Sequence, residues 1–151
     1  MGRERKRILA VASSGGHWVQ LTRLQPAFAD HDVAYLTTVP DHREEVAPAR
    51  YHTVRDANRW TKVRMACSAI KVAWVVLRER PDVVISTGAA PGYVAIRVGR
   101  VVGALTIWVD SLANVDELSL SGRLASAVAD FCLTQWPHLA EGAVAYLGSV
   151  L

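Results

Sequence analysis

Short apolar runs alternate with helical stretches along nearly the whole chain, and this alternation limits the fold more than any other feature. RILAVA (7–12), DVAYLTT (32–38), YHTV (51–54), DVVIST (82–87), LTIWVD (105–110), FCLTQW (131–136) and AVAYLG (143–148) read as strands. Residues 17–29, 58–80, 92–102 and 121–129 read as helices, with Pro81 stopping the second and Gly103 the third. Strands that are apolar on both faces, with helices between them, belong in a parallel sheet covered on both sides. The expected fold is one doubly wound α/β domain. A chain of 151 residues can build one such core but not comfortably two. The sequence shows no internal repeat, linker or low-complexity segment.

In such a sheet, ligands bind beyond the carboxyl ends of the strands. Three strand ends carry suggestive residues there. The first is Ser13-Ser14-Gly15-Gly16-His17. Its glycines let the backbone turn and approach a ligand, and the helix that follows offers free N–H groups and a positive dipole end. With the two serine hydroxyls this suits a phosphate or diphosphate; a glycine turn with serine caps explains the same residues. The loop is neither GxGxxG nor a P-loop. His17 can contact a phosphate, accept a proton, or simply be a solvated helix-start residue. A β-branched residue at Gly16 is expected to crowd a ligand and strain the turn. The second loop, at Gly88, repeats the pattern, and ordinary turn chemistry also accounts for it. The third holds Asp110 and Ser111, and the helix after Ser119 or Ser121 carries Arg123. That arginine can reach a phosphate or pair with an acid such as Asp130.

The net charge is +3, and it resides in the tail: Arg3, Arg5, Lys6 and Arg7 face only Glu4, while the other residues balance at 13 basic and 13 acidic groups. That is not the charge distribution of a nucleic-acid binder. A basic tail beside a membrane or an acidic partner fits it, as does a tail with no role beyond solubility. On the helix 58–80, Trp60, Val63, Cys67, Ile70, Trp74 and Leu77 share a face at near-heptad spacing. Arg64, Lys71 and Arg78 form a basic stripe beside it, and Val72 and Val76 lie on another side. This is either a core helix with a solvated stripe or a helix that packs on the sheet and also meets lipid headgroups or another chain. Five tryptophans favour the second account. The longest apolar run, Met65–Leu77, is too short to span a bilayer, and no signal peptide is visible. Cys67 and Cys132 both sit in apolar patterns and are expected as buried free thiols; no metal-ligand cluster is seen.

SSGGHWVQLTRL, PDVVISTGAAPGYVAI and the long block from IWVDSLANVDELSLSGRL through QWPHLA to YLGSVL resemble the PssD family of bacterial exopolysaccharide glycosyltransferase subunits. They are also similar to its eukaryotic relative, the membrane-anchor subunit of the enzyme that adds the second N-acetylglucosamine to dolichol-diphosphate. A weaker similarity reaches the amino-terminal half of MurG. The resemblance implies a Rossmann-like acceptor-binding domain over residues 1–151, with residues 1–6 as the basic tail, equivalent to one half of a GT-B glycosyltransferase. A small separate subunit would supply the other half and bind the UDP-sugar, so this chain would hold no cofactor of its own and be inactive alone. The acceptor would be a lipid-diphosphate-linked saccharide, and the reaction an inverting displacement. Ser13, Ser14, Gly15, Gly16, Gly88, Ser111 and Arg123 would bind the acceptor, with His17 and Asp110 as alternative bases. The eukaryotic subunit's amino-terminal membrane helix has no counterpart in this sequence, which implies peripheral attachment to the cytoplasmic face of the membrane. Trp60, Arg64, Lys71, Trp74 and Arg78 would meet the membrane or the partner.

Two other readings compete. One is a non-catalytic membrane adaptor that only recruits the donor-binding subunit. The other, a stand-alone nucleotide-binding enzyme, is disfavoured because no proper dinucleotide fingerprint precedes an acidic ribose-binding residue.

Overall fold

Each apolar run becomes a strand, and the helices form between them. A computed structural model describes residues 4–56 and 62–150. In chain order the elements are β1 (Arg7–Val11), α1 (Gly16–Arg23), β2 (Asp32–Thr37), β3 (Arg50–Thr53), α2 (Lys62–Glu79), β4 (Val83–Ser86), α3 (Ala89–Val101), β5 (Leu105–Val109), α4 (Leu120–Ser126), β6 (Phe131–Thr134) and β7 (Val144–Tyr146). The strands form one sheet in the order β3-β2-β1-β4-β5-β6-β7, and every neighbouring pair is parallel.

Alternation along the strands divides the core into two layers. Leu9, Val11, Leu36, Val84 and Trp108 face α2, α3 and α4. Ile8, Ala10, Tyr35, Ile85 and Val109 face α1, where Trp18 and Leu21 cover them. The sheet is therefore doubly wound, as the alternation in the sequence predicts.

Several boundaries differ from the sequence reading for local reasons. The expected helix 17–29 stops at Arg23, and a separate 3₁₀ turn, Gln25–Phe28, follows. Pro26 lacks the N–H that a continuing helix needs. A second 3₁₀ segment, Pro40–Val46, follows β2 and buries Val46. α3 starts at Ala89, three residues before the expected position, and Pro91 falls in its first turn, where no N–H is required. β6 ends at Thr134, whose hydroxyl accepts a hydrogen bond from Trp136 N (3.2 Å).

α2 is not a plain core helix with nothing but a solvated basic stripe outside. Its buried face is Ser68, Val72, Val75 and Val76. Each of those valines contributes roughly 1.5–3 kcal/mol by leaving water. The near-heptad face points outward instead: Val63 is 75% exposed, Ile70 70%, Trp74 51% and Leu77 57%. Cys67 lies on that outward side and is exposed, contrary to expectation, whereas Cys132 is buried. Burial pushes the Cys132 thiol up to about 12, with the nearby Asp110 charge adding to the shift. Arg64, Lys71 and Arg78 are exposed beside the apolar face, and Arg78 lies 5.2 Å over the Trp74 ring. Trp60 lies outside the described residues. No described helix is long and apolar enough to cross a membrane.

Candidate functional site

The strand order reverses between β1 and β4. From β1 the chain leaves through α1 to β2 on one side, and α2 carries it on the opposite face from β3 to β4. A crevice opens at such a switch point, beyond the carboxyl ends of the strands. The two glycine loops meet there.

After β1, Gly15 takes φ +68°, a conformation that suits glycine, and α1 begins at Gly16. A Cβ at either Gly15 or Gly16 would have no heavy atom within 4 Å. The backbone thus borders open space at the start of a helix. Gly16 itself has no positive φ, so the expected strain at that position is absent. α1 has no side-chain cap, and neither has α3 after Gly88. α4 differs: Ser119 Oγ accepts a hydrogen bond from Gly122 N (2.8 Å). The orphan N–H groups of α1 and α3 therefore remain available where the two loops converge, with the positive ends of both dipoles.

His17 lies between the loops. Its Nδ1 is 2.7 Å from Ser13 Oγ, and Thr87 Oγ1 donates to its backbone carbonyl (2.7 Å). Gly88 lies against the ring: a Cβ there would stand 2.5 Å from Cδ2 and 2.6 Å from Nε2. Gly88 also has φ +147°, and Ala89 has φ +66°. Burial lowers the His17 pKa below its ordinary value of 6.5, with the negative charge of Asp110 opposing that shift. The imidazole is therefore mostly neutral at neutral pH. Ser14 N donates to Thr38 Oγ1 at 3.1 Å, which fixes the loop against the end of β2.

Asp110 has different surroundings. It is 1% exposed. Oδ1 accepts from Trp108 Nε1 (3.0 Å) and Ser119 Oγ (2.6 Å). Oδ2 accepts from Asn114 Nδ2 (3.0 Å) and Ser119 N (3.0 Å). Four donors thus occupy the carboxylate, and it braces the loop 110–119. A Cβ at Gly122 would overlap Oδ1, which explains the glycine in LSLSGRL. Ser111 Oγ, also buried, accepts from Gln20 Nε2 (3.2 Å) and Ala113 N (3.2 Å).

Arg123 does not pair with Asp130. It donates to Glu117 (2.8 Å) at the surface, and Asp130 is held by Arg100 and Thr106 at the opposite edge of the sheet. The reason is directional: Arg123 lies in the first turns of α4, near the carboxyl edge, while Asp130 immediately precedes β6.

Residues that the sequence reading passed over also matter here. Thr87 and Thr38 pin the loops, and Gln20 and Gln135 are buried polar groups beside them. A glutamine inside the apolar helical pattern HWVQL was the available signal. A narrow apolar cleft of about 80 Å³ opens between the first half of α2 and the start of α3, lined by Met65, Ala69, Val72, Ala90, Pro91 and Val94 among others. Among the described residues, no three His, Cys, Asp or Glu side chains gather to hold a metal ion.

A family model described as "Oligosaccharide biosynthesis protein Alg14 like" matches residues 44–150. A mouse protein named UDP-N-acetylglucosamine transferase subunit ALG14 is 25% identical over 175 residues, covering 92% of this chain and 79% of the mouse protein. The protein of the same name from Eremothecium gossypii is 39% identical over 82 residues, covering 50% of this chain and 37% of that protein. Among solved structures, MurG from Acinetobacter baumannii matches with a TM-score of 0.74 at 14% identity, over 93% of this chain and 45% of MurG. UDP-N-acetylglucosamine 2-epimerase from Rickettsia bellii matches with a TM-score of 0.72 at 14% identity, over 97% of this chain and 46% of the epimerase. The chain thus spans less than half of these two structures, and at such identities the likeness is one of fold: a Rossmann-like unit of the GT-B architecture. Since the family model covers well over half of the sequence, the chain belongs to the Alg14-like family of oligosaccharide biosynthesis proteins.

Proposed function

We propose that this chain is the acceptor-binding subunit of a two-chain glycosyltransferase. It transfers a sugar from a UDP-sugar to a lipid-diphosphate-linked saccharide, in the biosynthesis of an oligosaccharide or exopolysaccharide. The observation that carries this reading is His17, seated against Gly88 at the switch point, beside open space and two uncapped helix starts. The family membership and the name of the mouse relative support the transferase role.

In this reading the acceptor diphosphate lies over Gly15 and Gly16, and the N–H groups and dipoles of α1 and α3 offset its charge. Ser13 and Ser14 offer hydroxyls to it. The apolar cleft between α2 and α3 gives the start of the lipid a path towards the exposed face of α2. The UDP-sugar sits on a small donor-binding partner. The acceptor hydroxyl oxygen attacks the anomeric carbon, the bond to UDP breaks, and UDP leaves with the electron pair. The hydroxyl proton passes to His17. With Nδ1 engaged at Ser13 Oγ, Nε2 is the nitrogen that takes it. Asp110 acts by holding the 110–119 loop, and its four donors leave it poorly placed as the base.

The exposed apolar face of α2, with Arg64, Lys71, Trp74 and Arg78, provides peripheral attachment to the cytoplasmic face of the membrane. The same face favours a second reading, a non-catalytic adaptor that brings the donor subunit to the membrane. One experiment separates the two. His17→Ala, assayed in the complex with the donor-binding partner, is expected to lower kcat by about 10²-fold or more while the complex stays intact. Wild-type turnover in the intact complex would favour the adaptor. The isolated 151-residue chain is expected to turn over no UDP-sugar.

A further inference from the structure

α1 joins two regions that are far apart in the sequence. His17, Gln20 and Arg23 are spaced by three residues and fall along one side of the helix. His17 reaches the glycine loops. Arg23 Nη1 donates to the backbone carbonyl of Val150 at 2.8 Å, at the other end of the chain. Gln20, between them, is buried and fully engaged: its Nε2 donates to Ser111 Oγ (3.2 Å), and its Oε1 accepts from Leu112 N (3.3 Å) and Gln135 Nε2 (2.8 Å).

Gln135 completes the connection. It is 4% exposed and lies just past β6. Its Nε2 donates to Gln20 and to the backbone carbonyl of Asp110 (3.0 Å). Its Oε1 accepts from Val150 N (3.0 Å) and Ser149 Oγ (3.4 Å). Two buried amides therefore tie α1, the loop after β5 and residues 149–150 together. Neither amide can rotate without breaking several bonds at once, and a buried polar group left unpaired is costly.

We propose that Gln20 and Gln135 are positioning residues that transmit the docking of residues 149–150 to α1 and so set where the His17 ring stands. The significance of this position rests on the transferase reading above, but the mechanical coupling does not. Neither amide hydrogen-bonds to the imidazole. They act through the helix that carries it, and the close fit of Gly88 against the ring leaves little tolerance for a shift of that helix.

The test uses the 151-residue chain itself and needs no turnover. The His17 imidazole is titrated by NMR in the wild type, in Gln135→Met, and in Arg23→Ala. Arg23→Ala is a surface change that, among the described residues, breaks the Val150 contact, so its fold is secure if Gln135→Met proves too unstable. Asp110 is the charged group whose field reaches His17, and all three proteins retain it. We expect the titration midpoint of His17 to move up towards 6.5 in Gln135→Met, and by less in Arg23→Ala, as the ring loses its seat. A Gln20→Met/Gln135→Met double variant also leaves Ser111 Oγ and Leu112 N without their amide partner, so it is expected to be less stable than the single variant and to retain the shifted His17. Arg50→Ala, which breaks ion pairs to Asp32 and Glu79 elsewhere, leaves His17 as in the wild type. An unmoved His17 titration in both Gln135→Met and Arg23→Ala overturns the proposal and makes the two amides purely structural. Failure of the transferase reading would appear instead as unchanged turnover in His17→Ala, whatever the titrations show.

Discussion

Gly88 and His17 are in direct contact: the backbone of one packs so closely on the ring of the other that any side chain at residue 88 would enter the space of the imidazole. Residues 71 apart in the chain thus define one wall of the site, because β1 and β4 lie side by side.

This contact separates the two glycine loops by experiment. Gly88→Ala must overlap the ring and hold a residue at φ +147°, so it is expected to displace His17, abolish most turnover in the complex and lower the melting temperature. Gly16→Ala meets open space at an ordinary helical position, so the fold should be unharmed or gain up to about 1 kcal/mol. Any loss of acceptor affinity in Gly16→Ala then reports a ligand in that space. Melting curves and acceptor binding measured on both variants check it.

The pH dependence follows from the lowered pKa of His17. The basic, neutral imidazole persists below pH 6.5 in the free protein, so the acid limb of kcat/KM in the complex should lie below 6.5. Stability follows the same group. Between the folded value and about 6.5, the unfolded chain binds more protons. This contribution is therefore complete above about pH 6.5 and is lost as the pH falls through that window. A pH–rate profile, with melting temperatures across pH 5–8, tests both, and His17→Ala should flatten the contribution to stability.

Asp110→Asn should act on stability before chemistry. The amide presents N–H groups to donors, so some of the four hydrogen bonds at this buried site must fail. A cost of roughly 1–3 kcal/mol is expected. Turnover of the folded fraction should keep a His17-type acid limb. Loss of that limb at unchanged stability would instead return Asp110 to the role of base.

On α2, opposite faces should give opposite results. Ile70→Ser with Trp74→Ser removes exposed apolar groups, so stability should change by less than about 0.5 kcal/mol while binding to anionic vesicles falls. Val72→Ala, fully buried, should cost roughly 1–3 kcal/mol and leave vesicle binding alone. Vesicle binding should also weaken at high salt, since basic groups near an anionic surface contribute about 1 kcal/mol each and are screened. Co-sedimentation at two salt concentrations and chemical denaturation provide the readings.

Much of the fold was legible in the sequence because its signal is local. RILAVA, DVVIST and LTIWVD are apolar on both faces, and a strand of that kind has to be buried between helical layers wherever it occurs. Gly15 and Gly88 likewise mark backbone turns that other residues resist. The outward face of α2 was not legible. Both sides of that helix are apolar, and only the sheet determines that Val72, Val75 and Val76 pack inward while Ile70 and Trp74 do not. The surroundings of the candidate site residues were decided in the same way. His17 and Asp110 are equal candidates as residue types. Tertiary structure surrounds one with four donors and leaves the other a single serine and a glycine wall, because strand order brings Gly88 to His17 and the 110–119 loop folds back on its own carboxylate. Hydrogen-bond saturation and close packing depend on residues distant in sequence, so they arise only when the chain has folded.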